Sequence, residues 1–252
     1  MTNRLKTPTE IASMRESGRM LATVLQYASA RLVPGMTTAE IDDLAAAELR
    51  RLGGKPSFLG YEGYPRIMCI AVNEEVQHAI PGKRRLAAGD IVNLDLGVTY
   101  SGMITDAGIT VGVGEISAEA VKLLQVTEAA LADGIAVVRA GVRTGDISAV
   151  IGQRLHRAGL GIVKELAGHG VGHELHEDPT IANYGRAGKG PVLQAGMTIA
   201  IEPIATLGSP DIWLLEDDWT IVTRDGSWAA QFEHTLLVTD DGAEILTLPP
   251  TA

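Results

Sequence analysis

Three of the six histidines, His169, His173 and His176, fall within the stretch GHGVGHELHEDP, beside a run of carboxylates. Imidazoles so close together can bind a metal ion, shuttle a proton or donate a hydrogen bond to a substrate. On a helix the run would offer ligands at i, i+4 and i, i+7, but Gly168, Gly170 and Gly172 each cost a helix about 1 kcal/mol. The HExxH order is also missing, because Glu174 follows His173 directly and no histidine stands at the required distance after it. In an extended or turning chain the three rings point in different directions. His169 is therefore the candidate metal ligand and His176 a nearby donor to substrate, with His173 at the surface or behind the ligands.

The matching anionic ligands come from elsewhere in the chain. Asp95 sits on the β-prone run NLDLGVTY, and Asp106 follows beyond the turn YSG, so a hairpin returns the second acid beside the first. Glu202 interrupts MTIAIEPIA, and Glu233 interrupts AAQFEHTLLVTDDG, where apolar neighbours again predict strands. Any one of these acids alone could face water from a sheet edge. Four on apolar strands imply burial, and burying even one unpaired charge costs several kcal/mol, on the order of 2–7 for polar groups and more for ions. Two divalent cations would balance four carboxylates, and a pair of ions can activate water and stabilise an oxyanion in hydrolysis. An oxygen-rich shell with one imidazole suits Mn(II), Fe(II), Co(II) or Zn(II).

Helical spacing of apolar residues predicts helices over 8–32 (with Thr9 as the cap), 39–52 (with Thr38 as the cap), 118–138 and 147–158. Short strands are expected over 67–72 and 91–98, and the last third alternates glycine, proline and short apolar runs, which makes a mixed α/β or α+β chain. Two internal echoes stand out. LAAGDIVNLD resembles LQAGMTIAIE, each ending in a carboxylate (Asp95 and Glu202), and LVPGMTTAEI parallels VRAGVRTGDI at nearly the same offset. Related halves would bring Asp95 and Glu202 together at a shared interface.

The chain has 252 residues, a formal net charge of -10 and a pI of about 5.1, which argues against a nucleic-acid or anionic-membrane binder. The single cysteine, Cys69, excludes an intrachain disulfide. The start has no apolar signal-peptide core and no run reaches transmembrane length, so a cytoplasmic protein is expected. TVGVGE lacks the context of a dinucleotide loop, leaving Gly112 and Gly114 as turn residues. His156 is expected on a solvent-facing helix surface, and His234, next to Glu233 on a strand, points away from the acid.

GYPRIMCIAVNEEVQHAIPG, NLDLGVTYSGMITD, GHGVGHELHEDP, GMTIAIEP and QFEHTLLVT, in this order, resemble the type I methionine aminopeptidases of peptidase family M24, over nearly the whole chain. The resemblance implies the α+β pita-bread (creatinase/aminopeptidase) fold. One catalytic domain, 1–252, would hold two pseudo-symmetric halves, roughly 8–110 and 115–245, with a curved antiparallel sheet and outer helices. It further implies a dimetal centre held by Asp95, Asp106, His169, Glu202 and Glu233, with Asp106 and Glu233 bridging. His78 and His176 would lie beside the substrate, His176 on the scissile carbonyl, and Glu202 would also take the proton of the attacking water. Asp95 would engage the free amine of the substrate.

The methionine pocket carried over from the family comprises Phe58, Tyr61, Tyr64, Cys69, Leu175 and Trp219. Phe58 stands where many relatives have a cysteine and Leu175 where many have an aromatic residue. The implied reaction removes the N-terminal methionine of nascent proteins when the second residue is small, by a monomer that touches the ribosome transiently, for example through the basic run GKRR. A proline-specific dimetal exopeptidase of the same fold and a catalytically inactive pita-bread binding protein are the competing readings.

Overall fold

The computed structural model describes residues 4–249. Its four long helices are α1 (Pro8–Ser29), α2 (Thr38–Leu52), α3 (Ala118–Ala136) and α4 (Thr144–Arg157). The caps lie one or two residues earlier than the apolar spacing suggests. Thr7, not Thr9, caps α1, because its hydroxyl accepts from Glu10 N while Glu10 returns a bond to Thr7 N; Pro8 then fills the first helical position. Thr37 and Glu40 form the same reciprocal box at α2, which leaves Thr38 inside the helix.

Among the described residues the strands form four small sheets in which every pairing is antiparallel. In one, strand Ile91–Tyr100 pairs with Met103–Gly112 along its full length, and with Cys69–Val72 on its other edge. The tight turn between the long strands uses Ser101 (φ 48°) and Gly102 (φ 79°), the left-handed pair that two-residue hairpins favour. A second sheet runs in the spatial order 243–245, 234–238, 198–201, 167–170, 177–182.

Alternation sorts the side chains of these strands. Leu94, Leu96 and Val98 point from strand Ile91–Tyr100 into one apolar cluster with Leu21, Val24 and Leu25 of α1 and Ile41 and Leu49 of α2. Ile199, Ile201 and Leu236 pack in another cluster with Leu123 and Leu131 of α3 and Ile147 and Ile151 of α4. Each fully buried leucine or isoleucine contributes about 1.5–3 kcal/mol, so the helices clamp one face of each sheet. Asp95 falls between Leu94 and Leu96 and therefore emerges on the opposite face.

The segments that echo one another in sequence make matching pairs of hydrogen bonds. Gly35 N donates to Leu86 O (2.7 Å) and Leu86 N to Met36 O (2.8 Å); Gly141 N donates to Leu193 O (2.9 Å) and Leu193 N to Val142 O (2.8 Å). The isolated bridges Thr37–Arg85 and Arg143–Val192 extend the correspondence. Among the described residues, no helix is long and apolar enough to cross a membrane.

Candidate metal centre and substrate pocket

Strand register brings the acids together. Asp95 and Gly97 share a face, and Gly97 lies opposite Asp106, so the two aspartates are diagonal neighbours on one side of the hairpin. In the other sheet His169 pairs with Ala200, two residues before Glu202 on the same face, and Ile201 pairs with His234. That last pairing places Glu202 and Glu233 just beyond the paired ends, side by side. Glu233 N donates to Gly108 O (2.8 Å), which ties the second sheet to the hairpin. Ligand atoms of Asp106, His169 and Glu233 lie within 4.8 Å of one another. His169 Nε2 is 3.7 Å from Glu202 Oε1, and the side-chain amide of Gln77 donates to both Asp95 Oδ2 and Glu202 Oε2 (3.3 Å each). All five residues line one cavity of about 420 Å³.

The four acids are 2–5% exposed. Burial pushes every carboxyl up, Asp95 to about 6 and Glu202 to about 8, with Asp106 and Glu233 well above the carboxylate range. After burial, the neighbouring acids add to the rise at Asp106, Glu202 and Glu233, whereas hydrogen bonds from Gln77 and Gln231 restrain it at Asp95. Burial, followed by the proximity of His176, lowers His169 to about 3, so its ring is neutral at neutral pH. In the tautomer with Nδ1–H donating to Gly170 O (2.9 Å), Nε2 presents its lone pair to the acids.

Asp95 Oδ1, Asp106 Oδ1 and Glu233 Oε1 are buried and accept no hydrogen bond within the protein. Orphaned carboxyl oxygens beside a neutral imidazole are the donor set of a hard or borderline divalent cation, and these residues fit one.

Neutral residues that lack metal chemistry of their own orient the cluster. Gln231 Nε2 donates to Glu233 Oε2 (3.0 Å), and Asn183 Nδ2 donates to the Glu202 carbonyl (2.9 Å). The Thr235 hydroxyl donates to the Asp106 carbonyl (2.7 Å) and accepts from Asp106 N (2.9 Å). In the sequence these side chains are marked only by position, with Gln77 beside His78 and Gln231 two residues before Glu233, at the end of strand Ala229–Gln231.

The cavity continues into an apolar end lined by Phe58, Tyr61, Tyr64, Cys69, Leu175 and Trp219, the six residues expected there, so Phe58 and Leu175 do reach the lining. Gly97 makes room for Phe58, since a Cβ at that position would lie 2.7 Å from Phe58 Cε1. Burial, followed by the charge of Asp95, raises the Cys69 thiol, which keeps it protonated and suits it to lining rather than attack. Tyr64 O–H donates to Ala79 O (3.0 Å) and packs edge-on against Trp219.

His78 and His176 border the cavity between the acids and the apolar end. His78 is held at φ 57°, edge-on to Trp219, and is lowered to about 4 by burial and then by His176. His176 stacks edge-on against His169 at 4.4 Å and its Nδ1 lies 2.8 Å from the Tyr61 hydroxyl. His173 stands apart, bonded through Nε2 to Glu10 (2.8 Å) at the half-buried outer side. His234 turns away to Thr247 (2.9 Å), as alternation requires, and His156 is exposed.

A model of metallopeptidase family M24 matches residues 12–240. The chain is 43% identical over 244 residues to a methionine aminopeptidase of Clostridium perfringens, covering 97% of this chain and 98% of that one. It is also 43% identical over 242 residues to methionine aminopeptidase 1 of Bacillus subtilis, covering 96% and 98%. The crystal structure of a methionine aminopeptidase from Thermotoga maritima superposes with a TM-score of 0.96 at 43% identity, over 98% of this chain and 100% of that chain. A prolidase from Pyrococcus furiosus shares the fold at 22% identity, with a TM-score of 0.81 over 99% of this chain and 66% of that chain.

Proposed function

The chain belongs to metallopeptidase family M24, with the pita-bread fold of that family, and from this premise we propose a full assignment of its site. The reaction is metal-dependent hydrolytic removal of an N-terminal methionine. The observation that carries the assignment is one cavity holding four buried acids and a neutral imidazole at one end and a compact apolar lining at the other.

Asp95, Asp106, His169, Glu202 and Glu233 would hold two divalent ions, Mn, Fe, Co or Zn. Two ions balance the four carboxylates, which burial would otherwise keep partly protonated. When bound, such ions polarise the scissile carbonyl and promote ionisation of water.

The chain's own residues supply the rest. With the Tyr61 hydroxyl donating to Nδ1, His176 keeps its proton on Nε2, where it donates to the scissile carbonyl oxygen as negative charge develops. His78, neutral and desolvated, donates to the substrate backbone from the other rim. Glu202 Oε accepts the proton of the attacking water and returns it to the departing amine. Asp95 stands where the free amine of a terminal residue enters, which restricts cleavage to chain ends. The apolar end admits an unbranched thioether, whose sulfur packs well on the rings of Tyr64 and Trp219.

The physiological substrates in this reading are nascent proteins with a small second residue, in the cytoplasm, and the enzyme acts as a monomer. A transient ribosome contact would use Lys83 and the exposed Arg85, because Arg84 is committed to Glu74 and Glu75 at 2.8 Å each. A comparison of methionine release from Met-Ala peptides with cleavage of Xaa-Pro peptides tests the assignment. Turnover of the first set is expected; turnover of the proline substrates alone would replace it with a proline-specific exopeptidase.

A further inference from the structure

We infer that Lys6 and Glu177 are positioning residues, whose ion pair sets the turn that aims His176 at the substrate; the inference rests on the function proposed above.

The pair is the most deeply buried ion pair among those described. Lys6 Nζ lies 2.7 Å from Glu177 Oε2, with the side chains 0% and 2% exposed. The other carboxylate oxygen, Oε1, accepts from the backbone of His173 (2.7 Å) and of Glu174 (3.2 Å). One carboxylate therefore gathers the turn 172–174 from below, immediately before Leu175 enters the pocket and His176 meets Tyr61.

The turn is built around this contact. Gly172 has a φ of 143°, and any Cβ there would collide with Lys6 Cε, so glycine is needed both for the conformation and for the approach of the lysine. Gly172 N donates to Glu174 O (3.0 Å), and Gly172 O accepts from Ile104 N (2.7 Å). Lys6 is itself fixed, since its backbone N donates to Gly196 O (2.9 Å).

Packing alone does not account for a charged pair here. Two apolar side chains of similar volume commonly fill such a space with no loss of stability. They would not accept the two N–H groups of the turn. A carboxylate does so with one oxygen while the other faces the lysine in a site closed to water. A displacement of His176 by an ångström is enough to misalign a donor with a developing oxyanion.

The experiment is a double-mutant cycle on metal-loaded protein with a Met-Ala peptide. Lys6→Met/Glu177→Met removes the pair without stranding a charge and deletes the acceptor. It is expected to lower kcat about tenfold with KM changed less than about threefold, and to lower kcat no further when placed in a His176→Ala background. Unchanged kcat, or the same fold loss in both backgrounds, overturns the inference and leaves the pair a structural element. Should the double variant not fold, Glu177→Gln, which keeps the shape and loses the charge, goes through the same cycle, with a smaller loss in the same pattern expected. Wild-type protein that releases no methionine overturns the proposed function itself, whereas wild-type turnover with an additive loss overturns only the role of the pair.

Discussion

The Tyr61 hydroxyl lies 2.8 Å from His176 Nδ1, so a residue that lines the apolar end of the cavity also holds the ring that borders the acid cluster. Tyr61→Phe keeps the ring in the apolar lining and removes only the hydroxyl. Without that donor the imidazole is free to rotate and to change tautomer. A fall in kcat of about fivefold is expected, consistent with loss of about 1 kcal/mol from one hydrogen bond, with KM nearly unchanged. A change confined to KM would show that Tyr61 serves the pocket alone.

Stability and pH are linked through the acid cluster. A carboxyl whose pKa is raised by folding contributes stability that is present at low pH and is lost as pH rises through the folded value. Glu202, raised to about 8, loses that contribution from about pH 4.5 up to about pH 8, and Asp106 and Glu233, held well above the carboxylate range, add to the loss. The buried histidines His78, His169 and His234 act in the opposite sense, but only below about pH 6.5, where an unfolded histidine takes up a proton. Metal-depleted protein should therefore lose Tm as pH rises from 6.5 to 9, at a rate reaching about 1.4 kcal/mol per pH unit for a single group. Added Mn(II) or Co(II) should flatten the profile, and Glu202→Gln should reduce the slope by one group's share, leaving that of Asp106 and Glu233. Thermal melts across that range decide the matter, and a metal-free Tm that rises with pH would contradict it.

Pocket width depends on a missing side chain. Gly97→Ala would set a methyl group 2.7 Å from Phe58 Cε1 and 3.0 Å from the Ser57 Cβ, both within the overpacked range. Phe58 must then move into the apolar end. Such overpacking typically costs 1–3 kcal/mol, so KM for Met-Ala peptides should rise about tenfold or more while the bound metal content stays unchanged. Unaltered KM would mean that Phe58 does not limit the space for the methionine side chain.

Much of this arrangement was legible before any coordinates. Asp95 and Asp106 read as a hairpin because the YSG turn and the strand period leave little else for that segment, and the structure pairs the two strands from end to end. Gly168, Gly170 and Gly172 argued against a helical zinc motif, and the segment is a short strand, Ala167–Gly170, followed by a turn. Helix starts were less readable. Thr7 and Thr9 both precede an acid and a helical pattern, and only the reciprocal bonds with Glu10 distinguish them.

Gln77 and Gln231 escaped notice because an amide has no titration and no metal affinity to advertise. Its value lies in where it donates. Lys6 and Glu177 were invisible for another reason: a buried ion pair between distant segments leaves no periodic trace, and each residue alone reads as surface charge.

The measurement that bears most directly on the five-residue centre is anaerobic metal reconstitution followed by product mass analysis on Met-Ala peptides, run on the native chain and on Asp106→Asn and His169→Ala. Free methionine is expected only after Mn, Fe, Co or Zn is supplied, with about two ions bound per chain, and at least a 10²-fold loss with reduced metal content in both variants. Methionine release that persists in chelator without metal, or variants that bind the same ions and turn over at the native rate, would contradict it.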